Sequence, residues 1–153
     1  MVGVYDICSR VHNGFRARLS KIAVPETKLN LAVSRVLYQS GFLYSITRGT
    51  NEGPDLQYTP TTNLNIARRR LWLSLKYFND KPVLNQMKCI SKPSLTVKVD
   101  YKTAKRLVSG HIAKMIKPIT PGEVIIVSTQ EGIMDLQKAT DKNLGGILLA
   151  RVS

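Results

Sequence analysis

Acidic residues are scarce in this chain: ten Asp and Glu stand against 23 Lys and Arg over 153 positions, a net charge of +13. The ten are scattered, and none falls into a paired spacing that would suit acid–base work. Cysteine is nearly missing. Cys8 and Cys89 lie far apart without a CxxC spacing, which argues against a disulfide or zinc framework and predicts buried free thiols in a reducing compartment. His12 and His111 are equally isolated, with no HExxH pattern around either. No apolar run approaches 18 residues, so no segment is expected to span or bind a membrane. Internal repeats and low-complexity tracts are also missing. These absences predict a chain that is not an enzyme and needs no cofactor or metal.

Two things are abundant, apolar residues and positive charge. At 43% apolar residues the chain can bury real cores, so it is not a disordered basic tail. Self-repulsion from so large a net charge destabilises a compact state, and such a balance implies a polyanionic partner whose counterions are released on binding. The charge is uneven: residues 81–120 hold nine Lys and Arg and a single acid, Asp100. Nothing local neutralises that stretch.

The segment Glu123-Val-Ile-Ile-Val-Ser-Thr-Gln-Glu-Gly-Ile-Met134 is the most informative. Val124 to Val127 reads as a strand buried on both faces. Ser128 and Thr129 stand where it leaves the core, and Gly132 can supply a positive-φ turn. Short, rigidly mounted hydroxyls suit phosphate, ribose and base-edge contacts. An ordinary strand-to-loop junction would look the same, and the basic charge favours the RNA reading.

Periodicity predicts an α+β chain of two small modules. Residues 4–17 form an amphipathic helix (Val4, Ile7, Cys8, Val11 and Phe15 buried) closed by Asn13-Gly14 in a left-handed turn. Lys21 to Val24 is a strand stopped by Pro25. Thr27 caps a second helix that ends at Gly41. Phe42, Tyr44 and Ile46 alternate as a strand. Leu71, Leu73, Leu75 and Tyr77 form another, paired as a hairpin with Val83 to Ile90 across Asn79-Asp-Lys-Pro82. The first module spans residues 1–90 and contains an insertion at 49–70, expected to be disordered until assembly with Arg68, Arg69 and Arg70 reaching outward. The second spans 91–153. It holds a strand from Leu95 to Val99, a basic helix over 102–116 interrupted by Gly110, the Val124 strand, one or two helical turns from Asp135 and a last strand from Ile147 to Val152.

In order, these segments resemble the bacterial-type family of small-subunit ribosomal protein eight over almost the whole chain. Asp6-Ile-Cys-Ser-Arg-Val-His-Asn-Gly14 is similar to its opening Asp-x-x-Thr-Arg-Ile-Arg-Asn-Gly. Val24-Pro-Glu-Thr-Lys-Leu29 with Val36-Leu-Tyr-Gln-Ser-Gly-Phe42 resembles its second-helix signature, and Leu73-Ser-Leu-Lys-Tyr77 with Lys81-Pro-Val83 its hairpin. Ile90-Ser-Lys-Pro-Ser94 is similar to Ser-Lys/Arg-Pro-Gly, Val127-Ser-Thr-Gln-Glu-Gly-Ile-Met134 to Ser-Thr-Ser-Lys-Gly-Val-Met, and Leu144-Gly-Gly146 to the glycine pair near the family's end. The resemblance implies a structural protein that binds the central domain of small-subunit ribosomal RNA and supports its assembly. Its implied partners are that RNA and neighbouring ribosomal proteins, with the chain a monomer outside the ribosome. The RNA-contacting positions it implies are Arg10, Asn13, Lys28, Ser91, Lys92, Ser128, Thr129, Gln130 and Gly132. The basic segment 102–120 adds Lys102, Lys105 and Arg106, with Lys114 and Lys117 beyond.

The departures from the family are informative. Gln130 and Glu131 replace Ser and Lys, Ser94 replaces a turn glycine, and Lys98 falls where Tyr is common. Segments 49–70 and 102–120 are longer than their bacterial counterparts. Relaxed motifs with added basic segments resemble an organellar, mitochondrial member, with the bacterial cytoplasm as the alternative. The chain begins at the family motif without an evident cleavable presequence, so the first helix with Arg10, Arg16, Arg18 and Lys21 is expected to serve import. A free-standing RNA-binding regulator would use the same surface. An RNA-modifying enzyme and a peripheral membrane binder have no motif behind them.

Overall fold

The computed structural model describes residues 2–153. Helix α1 (Val2–Arg16) leads to strand β1 (Lys21–Pro25), helix α2 (Lys28–Gln39), β2 (Leu43–Thr50) and β3 (Arg69–Leu75). A small ribbon, β4 (Tyr77–Phe78) and β5 (Lys81–Pro82), is followed by β6 (Met87–Cys89) and β7 (Lys98–Val99). Helix α3 (Tyr101–Val108), β8 (Val124–Thr129), β9 (Gly132–Asp135), α4 (Leu136–Asp141) and β10 (Gly146–Val152) complete the chain. The fold is α+β, with antiparallel sheets throughout.

The first sheet runs β1-β3-β2, and Pro25 is tolerated because β1 is an edge strand. Thr27 caps α2, its hydroxyl accepting from the Asn30 amide at 3.1 Å, and Gly41 follows the helix at φ 84°. The second sheet runs β6-β10-β8-β9, with β7 also on β10. Strand β8 is buried on both faces because it separates two cores. Ile126 joins the core under α1, α2 and the first sheet, whereas Ile125 and Val127 join the core under α3 and α4. Strand β10 divides similarly, and a register shift between Leu148 and Ala150 lets both Leu149 and Ala150 face the first core. The first core therefore runs through both modules.

Several expectations from the sequence are corrected. Helix α1 does not end at Asn13-Gly14. Gly14 is inside it and buried, where an added Cβ would lie 2.8 Å from the Ile22 side chain, and the left-handed residue is Arg18 at φ 56°. Tyr44 does not alternate inward. It is 73% exposed, because a register shift between Leu43 and Ser45 moves the buried face to Leu43. Residues 83–90 are not the second arm of a long hairpin. Asn79 and Asp80, both at positive φ, close only the four-residue ribbon, and β6 then pairs with β10. A module boundary at residue 90 would thus cut through the second sheet. Helix α3 stops at Val108, where the His111 amide donates to the Arg106 carbonyl and Gly110 takes φ 89°. Lys114 and Met115, both at positive φ, then form a tight turn rather than more helix.

Candidate nucleic-acid interface

Ser128 and Thr129 end β8, where burial gives way to partial exposure. A two-residue loop, Gln130 and Glu131, returns the chain to β9 at Gly132, which takes φ 121°. The Thr129 hydroxyl holds this loop: it donates to the Gly132 carbonyl at 2.9 Å and accepts from the Glu131 amide at 3.2 Å. The Ser128 hydroxyl has no hydrogen-bond partner among the described residues. Gln130 is exposed at the tip. Glu131 pairs with Lys142 at 2.8 Å, which cancels the charge that would otherwise repel phosphate.

The glycine pair fits beneath this loop. A Cβ on Gly146 would strike the Ser128 carbonyl, and one on Gly145 would lie 2.6 Å from the Val99 carbonyl and 2.9 Å from the Asp100 Cα. Only glycine lets β10 approach both neighbours so closely. Asp100 in turn caps α3. Its carboxylate accepts from Thr103, and that hydrogen bonding holds it below the usual carboxylate range. The basic helix thus starts beside the glycine pair, with Lys102, Lys105 and Arg106 exposed along it, and Lys105 over the Tyr101 ring at 5.9 Å.

Ser91 is placed differently from the expectation. It is 1% exposed, its hydroxyl donates to the Leu148 carbonyl, and it accepts from the Val97 amide at 3.0 Å. Buried and doubly bonded, it braces the surface from behind and has no face for RNA. Its neighbour Lys92 is exposed on a tight turn whose backbone bonds link Lys92 and Leu95. Ser94 fits there without a positive φ, so a glycine is not required. Leu148 adjoins Ile147, the partner of Ser128 in the ladder. Residues 90 and 91 therefore lie against one side of β10 and Ser128 against the other, with the Lys92 turn following directly.

Arg10 is already engaged. Its guanidinium meets Asp6 at 3.1 Å and donates to the Ala23 carbonyl at 3.1 Å, tying α1 to β1. Both charges are half exposed, so this i,i+4 pair contributes only about 0.3–0.5 kcal/mol. Asn13 is exposed one turn further on and shares a 270 Å³ cavity with Lys92 and Lys88. Lys28 is exposed in the first turn of α2, whereas the far end of that helix meets the second module through Gln39 and Lys138 at 3.2 Å. Lys28 therefore stands about 16 Å from that contact, at 1.5 Å of rise per residue along the helix.

Cys8 on α1 and Cys89 on β6 line the same cavity, and the Cys89 thiol donates to the Ser91 carbonyl at 3.1 Å. Burial pushes both thiols above their ordinary range. The neighbouring Cys89 raises Cys8 further, whereas Cys8 partly offsets the rise at Cys89. Both are free and protonated at neutral pH. A cavity of 570 Å³ between α2 and β9 carries Arg35 and Lys138 against Glu123 and Asp135. Burial raises Asp135, and the opposed charges give a polyanion no net attraction there. Sequence reasoning missed Tyr5 and Lys88, which line the smaller basic cavity; an aromatic on the polar side of an amphipathic helix was the available signal.

The model of the family described as Ribosomal protein S8 matches residues 3–153. "Small ribosomal subunit protein uS8m" of Schizosaccharomyces pombe is 43% identical over 149 residues, covering 97% of this chain and 98% of the relative. The protein of the same name from Neurospora crassa is 37% identical over 155 residues, covering 97% and 96%. The bacterial "Small ribosomal subunit protein uS8" of Acinetobacter baylyi is 30% identical over 151 residues, covering 98% and 95%.

Proposed function

This chain belongs to the ribosomal protein S8 family, whose members are ribosomal structural proteins and not enzymes, and from that premise we propose that it binds the central domain of small-subunit ribosomal RNA and supports its folding into the subunit. The observation that carries this reading is the unpartnered Ser128 hydroxyl at the rigid end of a doubly buried strand, held by Thr129 and the glycine pair. RNA recognition relies on shape, unstacked bases and 2′-hydroxyls, which a fixed neutral hydroxyl suits, and the +13 net charge supplies the backbone attraction. Arg10 and Asn13, Lys92, and the α3 cations would contribute backbone contacts around it. The fungal relatives are mitochondrial small-subunit proteins, and the chain is assigned to the mitochondrion with them. No described helix is long and apolar enough to cross a membrane.

A free-standing RNA-binding regulator would use the same surface, and sedimentation separates the two. In a sucrose gradient of mitochondrial extract, the tagged chain should travel with the small subunit at both low and high magnesium. Recovery only at the top of the gradient would favour the regulator and overturn the ribosomal assignment.

A further inference from the structure

The 270 Å³ cavity meets a second one of 450 Å³, and the two share Tyr5 and Lys92 as their common wall. The larger is completed by Pro93 and Ser94, and the smaller includes Ser9, Asn13 and Lys88. Tyr5 is 58% exposed, although its helix neighbours Val4, Ile7 and Cys8 are buried. Its ring is therefore mounted on a fixed helix and stands open to solvent between two recesses. Neither cavity is lined by a carboxylate among the described residues, whereas two lysines flank the ring. Cys8, Met87 and Cys89 also line the smaller cavity. A rigid aromatic plate, an apolar proline edge, neutral hydrogen-bonding side chains and flanking cations match one ligand chemistry, an unpaired nucleotide of an RNA strand.

We propose that Tyr5 is a stacking platform for an unpaired base of the bound RNA, in the groove between α1 and the turn at residues 92–95, with Lys92 and Lys88 on the adjoining phosphates. This rests on the RNA-binding reading above and extends it to a second point of contact. The groove adjoins the Lys92 turn, which follows Ser91 on the side of β10 opposite Ser128, so one RNA can contact both. Stacking is indifferent to base identity, so this contact adds affinity and position while Ser128 reads shape.

The test uses the full chain and a central-domain small-subunit RNA transcript carrying 5-iodouridine. Photo-crosslinking should place a crosslink on Tyr5. Tyr5→Ala should weaken binding on the order of ten-fold with an unchanged salt slope, because a stack and not a charge is lost. Tyr5→Phe should restore the affinity, since the ring suffices. If Tyr5→Ala binds as wild type while Ser128→Ala does not, the stacking platform is refuted and the primary reading stands. If the wild-type chain fails to bind the transcript at all, the primary reading falls, and this one with it.

Discussion

Gly146 lies against the Ser128 carbonyl so closely that no side chain fits between β10 and the end of β8. The backbone that presents the Ser128 hydroxyl is thus positioned by a residue from another strand. The missing side chain at 146 is what brings the two strands together.

Gly146→Ala should force these strands apart where the ladder meets the candidate surface. Overpacking of this kind costs about 1–3 kcal/mol, and the displaced loop should also bind RNA more weakly. Thermal unfolding and RNA titration of the variant check both halves. A wild-type melting temperature together with wild-type affinity would contradict the packing described.

Arg69 sits at the base of the insertion at residues 49–70 and is 2% exposed. It meets Asp55 at 2.6 Å and donates to the Thr59 carbonyl at 3.2 Å. Its Nε and Glu26 Oε2 are 3.6 Å apart, near enough to attract as charges but without a hydrogen bond. This buried cluster corrects the expectation that Arg69 reaches outward, whereas Arg68 is exposed. Arg69→Ala should cost about 3–5 kcal/mol, because two carboxylates lose their buried partner. Deleting residues 50–65 removes Asp55 and Thr59, so it should destabilise the fold as well. Urea unfolding measures each, and an unshifted midpoint would show that the cluster contributes nothing.

On α3, Lys102, Lys105 and Arg106 are exposed while Ala104 and Leu107 face the core. Replacing the three cations with Gln should preserve the helix, since Gln is a good helix former. If each neutralises one phosphate, the slope of log affinity against log salt should flatten by about two to three units. Filter binding across a salt series measures it. An identical slope would mean that this face is merely solvated.

Much of the fold was legible from local signals. Thr27 and Gly41 bracket α2 because caps are short-range chemistry, and the apolar run of β8 declares burial on both faces without reference to the rest of the chain. Other features depend on contacts distant in sequence. Gly14 looks like a helix stop, yet it is needed for close packing against Ile22 and Leu75. Three residues of β6 carry too little pattern to show that they pair with β10. Ser91 belongs to a motif the sequence resembles, but only the fold shows its hydroxyl used up by Leu148 and Val97. The same limit hid the sharing of work at the candidate surface, where Thr129 holds the loop and Ser128 is left free.

That sharing gives the most direct measurement, a filter-binding titration of central-domain small-subunit RNA against wild type, Ser128→Ala and Thr129→Ala, paired with thermal unfolding. Ser128→Ala should lose about 1–3 kcal/mol of binding with stability and salt slope unchanged, because an unpartnered, uncharged hydroxyl is removed. Thr129→Ala should lower stability by about 0.5–1.5 kcal/mol and weaken binding through the loosened loop. Wild-type affinity for Ser128→Ala would contradict the assignment of this surface to RNA.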